Sequence, residues 1–411
     1  MNIILPTISR AIQNIDNRGI YPDLVRKLAE EGHNVYVVFP KDRDSKVTLE
    51  VQGTIRLLGI PFYRIIKSNP IERLWAMWRI SSVFEKSISD HFGDLNFDLV
   101  LYATPPITFN KLIKRLKVKH QALCYLMLKD IFPQNAVDLG MMSENSIPFR
   151  RFKKLEQQLY EISDCIGCMS NRNMEYIKQL HGQVIGQKLE FFPNTIEVKN
   201  APMSSAEKKE FRSEFGLPTD KTLVIYGGNL GKPQGITFLK KVLSHYKGDE
   251  STHFVICGTG TEARSLGDYI DTKKLSHVTF INGLDRKLYD KLEASADIAL
   301  VFLDARFTIP NYPSRILSYM ENAIPILFSV DKSTDVAHDA EANAYGINTF
   351  HGDLNQFTGA LDSLISNPKR RDEMGTKGRE YLLKNFSVEF SSGAIIDFYR
   401  KRNKELNERA V

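Results

Sequence analysis

The stretch TLVIYGGNLGKPQGITFLKKVL (222–243) decides how this chain is read. TLVIY is a short apolar run without alternation, the pattern of a strand covered on both faces. A glycine-rich turn follows it, and ITFLKKVL then places its apolar residues at helical spacing. Strand, glycine turn and helix together form the unit from which parallel α/β sheets are built. The same turn carries a chemical expectation. Its glycines let backbone approach a ligand closely, a helix start offers unpaired N–H groups and a positive dipole end, and Lys232 adds a full charge. Gly228, Asn229, Leu230, Gly231, Lys232 and Gln234 are therefore expected to cradle a diphosphate. The spacing fits neither the dinucleotide fingerprint nor the P-loop, so an ordinary glycine-rich turn stays open as the alternative.

Outward from this loop the unit repeats. HFVIC (253–257), VTFI (278–281), IALVF (298–302) and PILF (325–328) read as further strands, each followed by a helical stretch. CGTGTEA (257–263) and INGLDRKL (281–288) again put glycines at a strand end. Gly258, Thr259 and Gly260 are read as part of one extended nucleotide site, with the base near Gly283 and Leu284. In IPNYPSRILSYMENAIPILFS (309–329), Asn311, Tyr312 and Ser314 offer hydrogen bonds at a helix start where Pro313 suits the first turn. Arg315 can clamp a phosphate with its planar fork, a surface salt bridge being the alternative.

An earlier series runs through IIL (3–5), VYVVF (35–39), DLVLYA (98–103), ALCYLML (122–128), CIGCM (165–169) and EFF (190–192). A helix from about Tyr21 to Glu31, with Pro22 in its first turn and Gly32 beyond its end, separates the first two. The apolar signal lapses near FPNTIEVKNAPMSSAEKK (192–209), where the domain boundary is expected. The reading is α/β, with two Rossmann-like, doubly wound parallel-sheet domains at 1–198 and 199–386, and a charged helix over 387–411. Two such halves are expected to face a cleft, with ligands at the carboxyl ends of the strands.

A length of 411 residues suits two domains, and 42% hydrophobic with 25% charged residues is globular. The longest uncharged stretch, Leu99 to Asn110, is about a dozen residues and holds two prolines, too short for a membrane span. The start MNIILPTISR lacks a basic n-region and a long apolar run, so the cytoplasm is the expected location. Four cysteines make no disulfide framework, and Cys165 and Cys168 are read as packing within a strand. The net charge of +6 concentrates in KLIKRLKVK (111–119) and FRRFKKL (149–155), which suggests an anionic surface or partner, or else solvated helix faces. No recognised nucleic-acid motif accompanies it. NPIERLWAMWRISSVF (69–84) sets Trp75 and Trp78 on a basic helix that can lie in a membrane interface or pack in the core.

Taken together, EEGHNVYVV (30–38), FPNTIE, GGNLGKPQGI, GTGTEA, FINGL, SADIALVFL, YPSRILSYM and ISNPKRRDEMGTKGREYLLKNFS (365–387) make the chain resemble the retaining, GT-B-type glycosyltransferases of family 4. The resemblance covers nearly the whole length. It implies a C-terminal helix that crosses back onto the first domain, a sugar-nucleotide donor in the second domain and an acceptor in the first. Two features depart from the family pattern. Asn229 and Gln234 stand where the donor loop usually carries an Arg and a Lys, and Pro310 and Ser318 stand where a pair of glutamates is usual. The Pro313-Ser314-Arg315 run resembles a subgroup with a Pro-Ser-Lys/Arg element, in which Arg315 compensates for lost phosphate charge.

On the acceptor side, LMLKDIFPQNAVDLGMM (126–142) places Asp130 at a strand end, where it is expected to position or sense the acceptor hydroxyl. A loop-stabilising carboxylate is the other reading. Asn135 and Asp138 are lesser candidates, and Thr104, Arg18 and Gly19 are read as acceptor-facing. The expected activity is transfer of a sugar, with an N-acetylhexosamine from a UDP donor as the leading case, onto a lipid-linked or other glycan in surface polysaccharide biosynthesis. Capsule and O-antigen synthesis are the settings the resemblance suggests. Asp130, Lys232 and Arg315 carry the chemistry, no metal is expected, and peripheral contact with an anionic inner membrane face is. An epimerase or phosphorylase on the same two halves, and a non-catalytic sugar-nucleotide-binding assembly protein, remain alternatives. The oligomeric state is left open.

Overall fold

The computed structural model describes residues 1–62, 70–199 and 201–410, and of residues 70–75, 77, 409 and 410 the backbone only. The chain divides into two compact units, Met1–Glu197 with Phe386–Val411, and Val198–Asn385.

The first unit is built on eight strands: β1 (Asn2–Pro6), β2 (Asn34–Lys41), β3 (Thr48–Gln52), β4 (Ile55–Pro61), β5 (Leu99–Thr104), β6 (Leu123–Leu128), β7 (Cys165–Cys168) and β8 (Leu189–Phe191). Their order is β3-β4-β2-β1-β5-β6-β7-β8, parallel except where β3 runs antiparallel to β4. β5 and β6 are buried along their full length, as expected of unalternating apolar runs. The hairpin of β3 and β4 is absent from the sequence reading, because TLEVQ alternates and is largely exposed at the sheet edge.

The C-terminal helix Val388–Ala410 lies in this unit. Val388, Ile395, Ile396 and Phe398 join the same core as Leu24, Val25 and Leu28 of the helix Ile20–Glu30. Polar contacts fix its start: Thr195 Oγ1 donates to Ser391 Oγ at 2.7 Å, and Ser392 Oγ donates to Glu31 at 3.0 Å. Cys165 and Cys168 are buried in β7 and carry no disulfide.

The second unit has six strands, all parallel: β9 (Thr222–Asn229), β10 (Thr252–Thr259), β11 (Val278–Ile281), β12 (Ile298–Phe302), β13 (Ile326–Val330) and β14 (Gly346–Phe350). The order β11-β10-β9-β12-β13-β14 reverses direction at β9, the first strand of the unit. Loops leaving β9 and β12 therefore part to opposite sides of a crevice, the position where open α/β sheets bind ligands. β14 also escaped the sequence reading, since GINTF is short and half polar.

Both basic runs form amphipathic helices. In Asn110–His120, Leu112, Ile113 and Leu116 are buried while Lys111, Lys114, Arg115 and Lys119 are exposed. In Ile147–Ile162, Phe149 and Phe152 are buried while Arg150, Arg151 and Lys154 are exposed. Trp78 is exposed on the helix Pro70–Phe92, and the side chain of Trp75 lies outside the described residues. No described helix is long and apolar enough to cross a membrane.

Candidate functional site

In the second unit, β9 continues through Gly227 and Gly228 to Asn229, beyond the apolar run that predicted it. A Cβ on Gly227 would collide with the Tyr289 hydroxyl. Gly228 has a φ of 115°, a conformation open to glycine, and a Cβ there would lie 3.5 Å from the Arg315 guanidinium carbon. The cation therefore lies beside Gly228, in ordinary contact with the place a side chain would start. Its carbon lies 5.0 Å from the centre of the Tyr226 ring.

No carboxylate pairs with Arg315 among the described residues, and its buried Nη1 has no hydrogen-bond partner, which removes the salt-bridge alternative. Burial works against the charge, but the adjacent Tyr226, which hydrogen-bonds the guanidinium, and Tyr319 outweigh it and raise its pKa above the ordinary value. An unpaired donor of this kind costs stability unless a ligand meets it.

The loop beyond is stiffened from within. Asn229 Nδ2 donates to Gln234 Oε1 at 2.9 Å, and the Gly231 N–H donates to the same oxygen at 3.3 Å. Asn229 and Gln234 thus occupy each other. Lys232 is exposed, in a short 3-10 turn, and the α-helix begins after it at Ile236, with Gly235 as the cap at φ 57°. Gly235 packs on His351, leaving no room for a side chain.

Several expected ligand contacts turn out to be supports. Leu230 is fully buried, its N–H donates to Thr259 and its carbonyl accepts from Glu262, so it anchors the loop. Gly258 and Gly260 lie against the backbone of Gly228 and Leu230, where any Cβ would collide, so these glycines serve loop-on-loop packing. Thr259 is exposed beside Gly283, whose φ is 88°, and Leu284 is half-buried next to it.

The loop before Arg315 differs from its reading too. Tyr312 is buried with Tyr345 as its neighbour and points into the core. Asn311 is held by Thr334 Oγ1 at its N–H and by the Ile309 carbonyl at its Nδ2. The helix Arg315–Glu321 starts two residues after Pro313, with Ser314 as an exposed cap residue that makes no side-chain cap bond.

In the first unit, Asp130 follows β6, and its two carboxyl oxygens accept from Asn135 Nδ2, each at 2.8 Å. Burial pushes its pKa up to about 6, against the bonds from Asn135 and the Ile131 N–H. The side-chain amide oxygen of Asn135 is buried and unpartnered. Asp138 accepts from Gln134 at 3.1 Å on the short helix Gln134–Asp138. Thr104 is buried and donates its hydroxyl to the Asp130 carbonyl at 3.1 Å, so it fixes the backbone of the Asp130 turn and does not face outward.

Gly19 has a φ of 151° and caps the helix Ile20–Glu30, its N–H held by Asp23 at 3.1 Å, while Arg18 is half-buried before it. Sequence reasoning passed over Lys129. Its Nζ lies 3.5 Å from the Pro193 carbonyl and 4.9 Å from the centre of the Phe192 ring, and burial brings its pKa down to about 7. The charged pair ending an apolar run is the signal that marks Lys129 as well as Asp130. Among the described residues no group of three or more His, Cys, Asp or Glu side chains is arranged to hold a metal ion.

With this geometry in view, the comparisons acquire a physical meaning. Residues 207–381 match the family model for glycosyl transferases group 1. The chain is 22% identical over 340 residues to the probable glycosyltransferase WbjE of Pseudomonas aeruginosa, covering 82% of each. It is 26% identical over 118 residues, 28% of each chain, to the putative colanic acid biosynthesis glycosyl transferase WcaI of Escherichia coli. Among solved structures, sucrose-phosphate synthase from Thermosynechococcus elongatus is similar with a TM-score of 0.78 at 16% identity, over 98% of this chain and 100% of that one. Anabaena HepE in complex with UDP and glucose is similar with a TM-score of 0.70 at 13% identity, over 97% and 98%. The two parallel-sheet units match those of GT-B structures, and the family match falls within the second unit.

Two outcomes check these assignments. Gly258→Ala forces β10 away from the Gly228 carbonyl and is expected to lower stability by about 1–3 kcal/mol, read by urea denaturation. For Asp130, a folded pKa above the unfolded one means that stability falls as pH rises through about 6. Asp130→Asn is therefore expected to melt no lower than the wild type at pH 7.5 while losing at least about tenfold in turnover. A lower melting temperature with unchanged turnover would mark Asp130 as a loop-stabilising residue.

Proposed function

We propose that this protein is a retaining glycosyltransferase that moves a sugar from a UDP-sugar onto a lipid-linked glycan of a surface polysaccharide. The observation that carries the proposal is the half-buried Arg315, whose Nη1 is buried with no hydrogen-bond partner, beside Gly228 at the end of β9. Such a group is prepared for an anion, and the glycine backbone above it leaves the anion room to approach. Lys232 supplies a second cation on the same loop. The similarity to HepE, whose structure holds UDP and glucose, supports UDP as the nucleotide.

In the proposed reaction, Arg315, Lys232 and the backbone N–H groups near Ile236 stabilise charge growing on the leaving diphosphate. Gly283 and Leu284 bound the base, and Gly228, Asn229 and Thr259 bound the phosphates and ribose. The leaving diphosphate itself takes up the acceptor proton, and no protein nucleophile is required. Asp130, oriented by Asn135, holds the acceptor hydroxyl, with Gly19 and Arg18 bordering the acceptor. An N-acetylhexosamine is the leading donor sugar. Capsule or O-antigen synthesis is the proposed setting, supported by the similarity to WcaI, named for colanic acid biosynthesis.

A cytoplasmic protein working on a lipid-linked acceptor needs to meet the inner membrane face. The exposed basic faces of Asn110–His120 and Ile147–Ile162, with Trp78 nearby in the same unit, suit peripheral contact with anionic lipid.

The test is isothermal titration with UDP. Arg315→Met keeps the bulk and removes the charge, and is expected to weaken UDP binding by roughly ten- to a hundredfold without lowering the melting temperature. Unchanged affinity would overturn the assignment of Arg315 to the diphosphate. Because the two cations and the helix start carry the phosphate charge, turnover is expected to survive EDTA. Loss of turnover on chelation, restored by a divalent cation, would contradict this.

A further inference from the structure

Beneath the glycine pair at the end of β9 lies a polar cluster that the diphosphate reading leaves unused. Glu293, on the helix Arg286–Ala294, is 1% exposed, between the buried apolar residues Leu292 and Ala294. No cation lies within ion-pair distance of it among the described residues, and Arg286 of the same helix is paired with Asp290 at 2.9 Å. Its carboxyl instead accepts a bond from the Tyr289 hydroxyl at 2.7 Å, with the Ser318 hydroxyl close beside it. Burial raises its pKa to about 7.

The two partners lead to the two sides of the donor loop. The Tyr289 hydroxyl fills the space in which a side chain on Gly227 would stand. The Ser318 hydroxyl lies 3.0 Å from the Arg315 carbonyl, and its neighbour Tyr319 accepts the Gly227 N–H at 3.2 Å. One carboxyl group thus holds the Tyr289 floor under Gly227 and abuts the helical turn that presents Arg315. A buried, unpaired carboxyl costs folding free energy, so packing alone gives no reason for it here.

We propose that Glu293 is a positioning residue of the donor site, holding Tyr289 and the Arg315 turn in register so that the guanidinium meets the diphosphate of a nucleotide sugar. The proposal rests on the donor-site reading above and adds a residue that touches no substrate. Glu293 acts through hydrogen bonds, so an amide of the same shape should serve nearly as well, whereas removal should loosen both partners together.

The experiment compares full-length wild type, Glu293→Gln, Glu293→Ala and Tyr289→Phe by titration with UDP and by thermal melting. Glu293→Gln is expected to bind UDP within about threefold of the wild type, and Glu293→Ala to bind about tenfold more weakly. Tyr289→Phe keeps the ring, so its melting temperature should hardly change while UDP binding weakens by about fivefold. If Glu293→Ala does not melt cooperatively, Tyr289→Phe and the Glu293→Gln rescue decide the matter. A wild type that binds UDP alongside Tyr289→Phe and Glu293→Ala that bind it equally well would overturn the positioning role alone. A wild type that takes up no UDP would overturn the donor-site reading and this proposal with it.

Discussion

The structure turns on one unpaired charge. Arg315 stands beside Gly228 with its Nη1 buried and without a partner, and the described residues place no carboxylate in an ion pair with it. Around it the second unit is arranged to make that position possible. Gly227 carries no side chain that would displace Tyr289, Gly228 takes the positive φ its turn needs, Tyr226 lies against the cation, and Gly258 and Gly260 let β10 and the turn after it press on the loop. These arrangements sacrifice packing or hydrogen bonding locally, and the remainder of the sheet, with Val224, Leu300 and Leu327 fully buried, supplies the stability they forgo.

The first unit shows the same trade at lower charge. Asp130 is buried enough to titrate near pH 6, yet it keeps two bonds from one Asn135 amide and a turn fixed by Thr104. Lys129, the residue before it, reaches instead toward Phe192 and Pro193. The two adjacent ionisable groups therefore serve different surroundings.

Most of the parallel architecture was legible in the sequence, because buried parallel strands are apolar without alternation and eleven such runs stand out between helices. Of the strands that escaped, β3 and β14 are sheet edges where the apolar signal thins, while β4, next to the edge, is buried and apolar but its glycine-interrupted run is too short to stand out. The donor loop was legible for a related reason: glycines at a strand end mark close approach, whatever it is that approaches. For Gly258 and Gly260 the approaching group is another loop, and sequence spacing cannot distinguish that from a ligand. Leu230, Thr104 and Tyr312 were misread as facing ligands because side-chain direction at a strand end depends on the packing of neighbours far away in sequence. Glu293 left no trace at all, since DKLEASAD reads as an ordinary amphipathic helix and nothing local says that its carboxyl faces inward.

The most direct measurement is a crystal structure of the protein soaked with UDP. The account predicts the diphosphate over Gly228, with an oxygen within hydrogen-bond reach of Arg315 Nη1 and Lys232 turned toward it. A diphosphate bound beyond the reach of both side chains would contradict it.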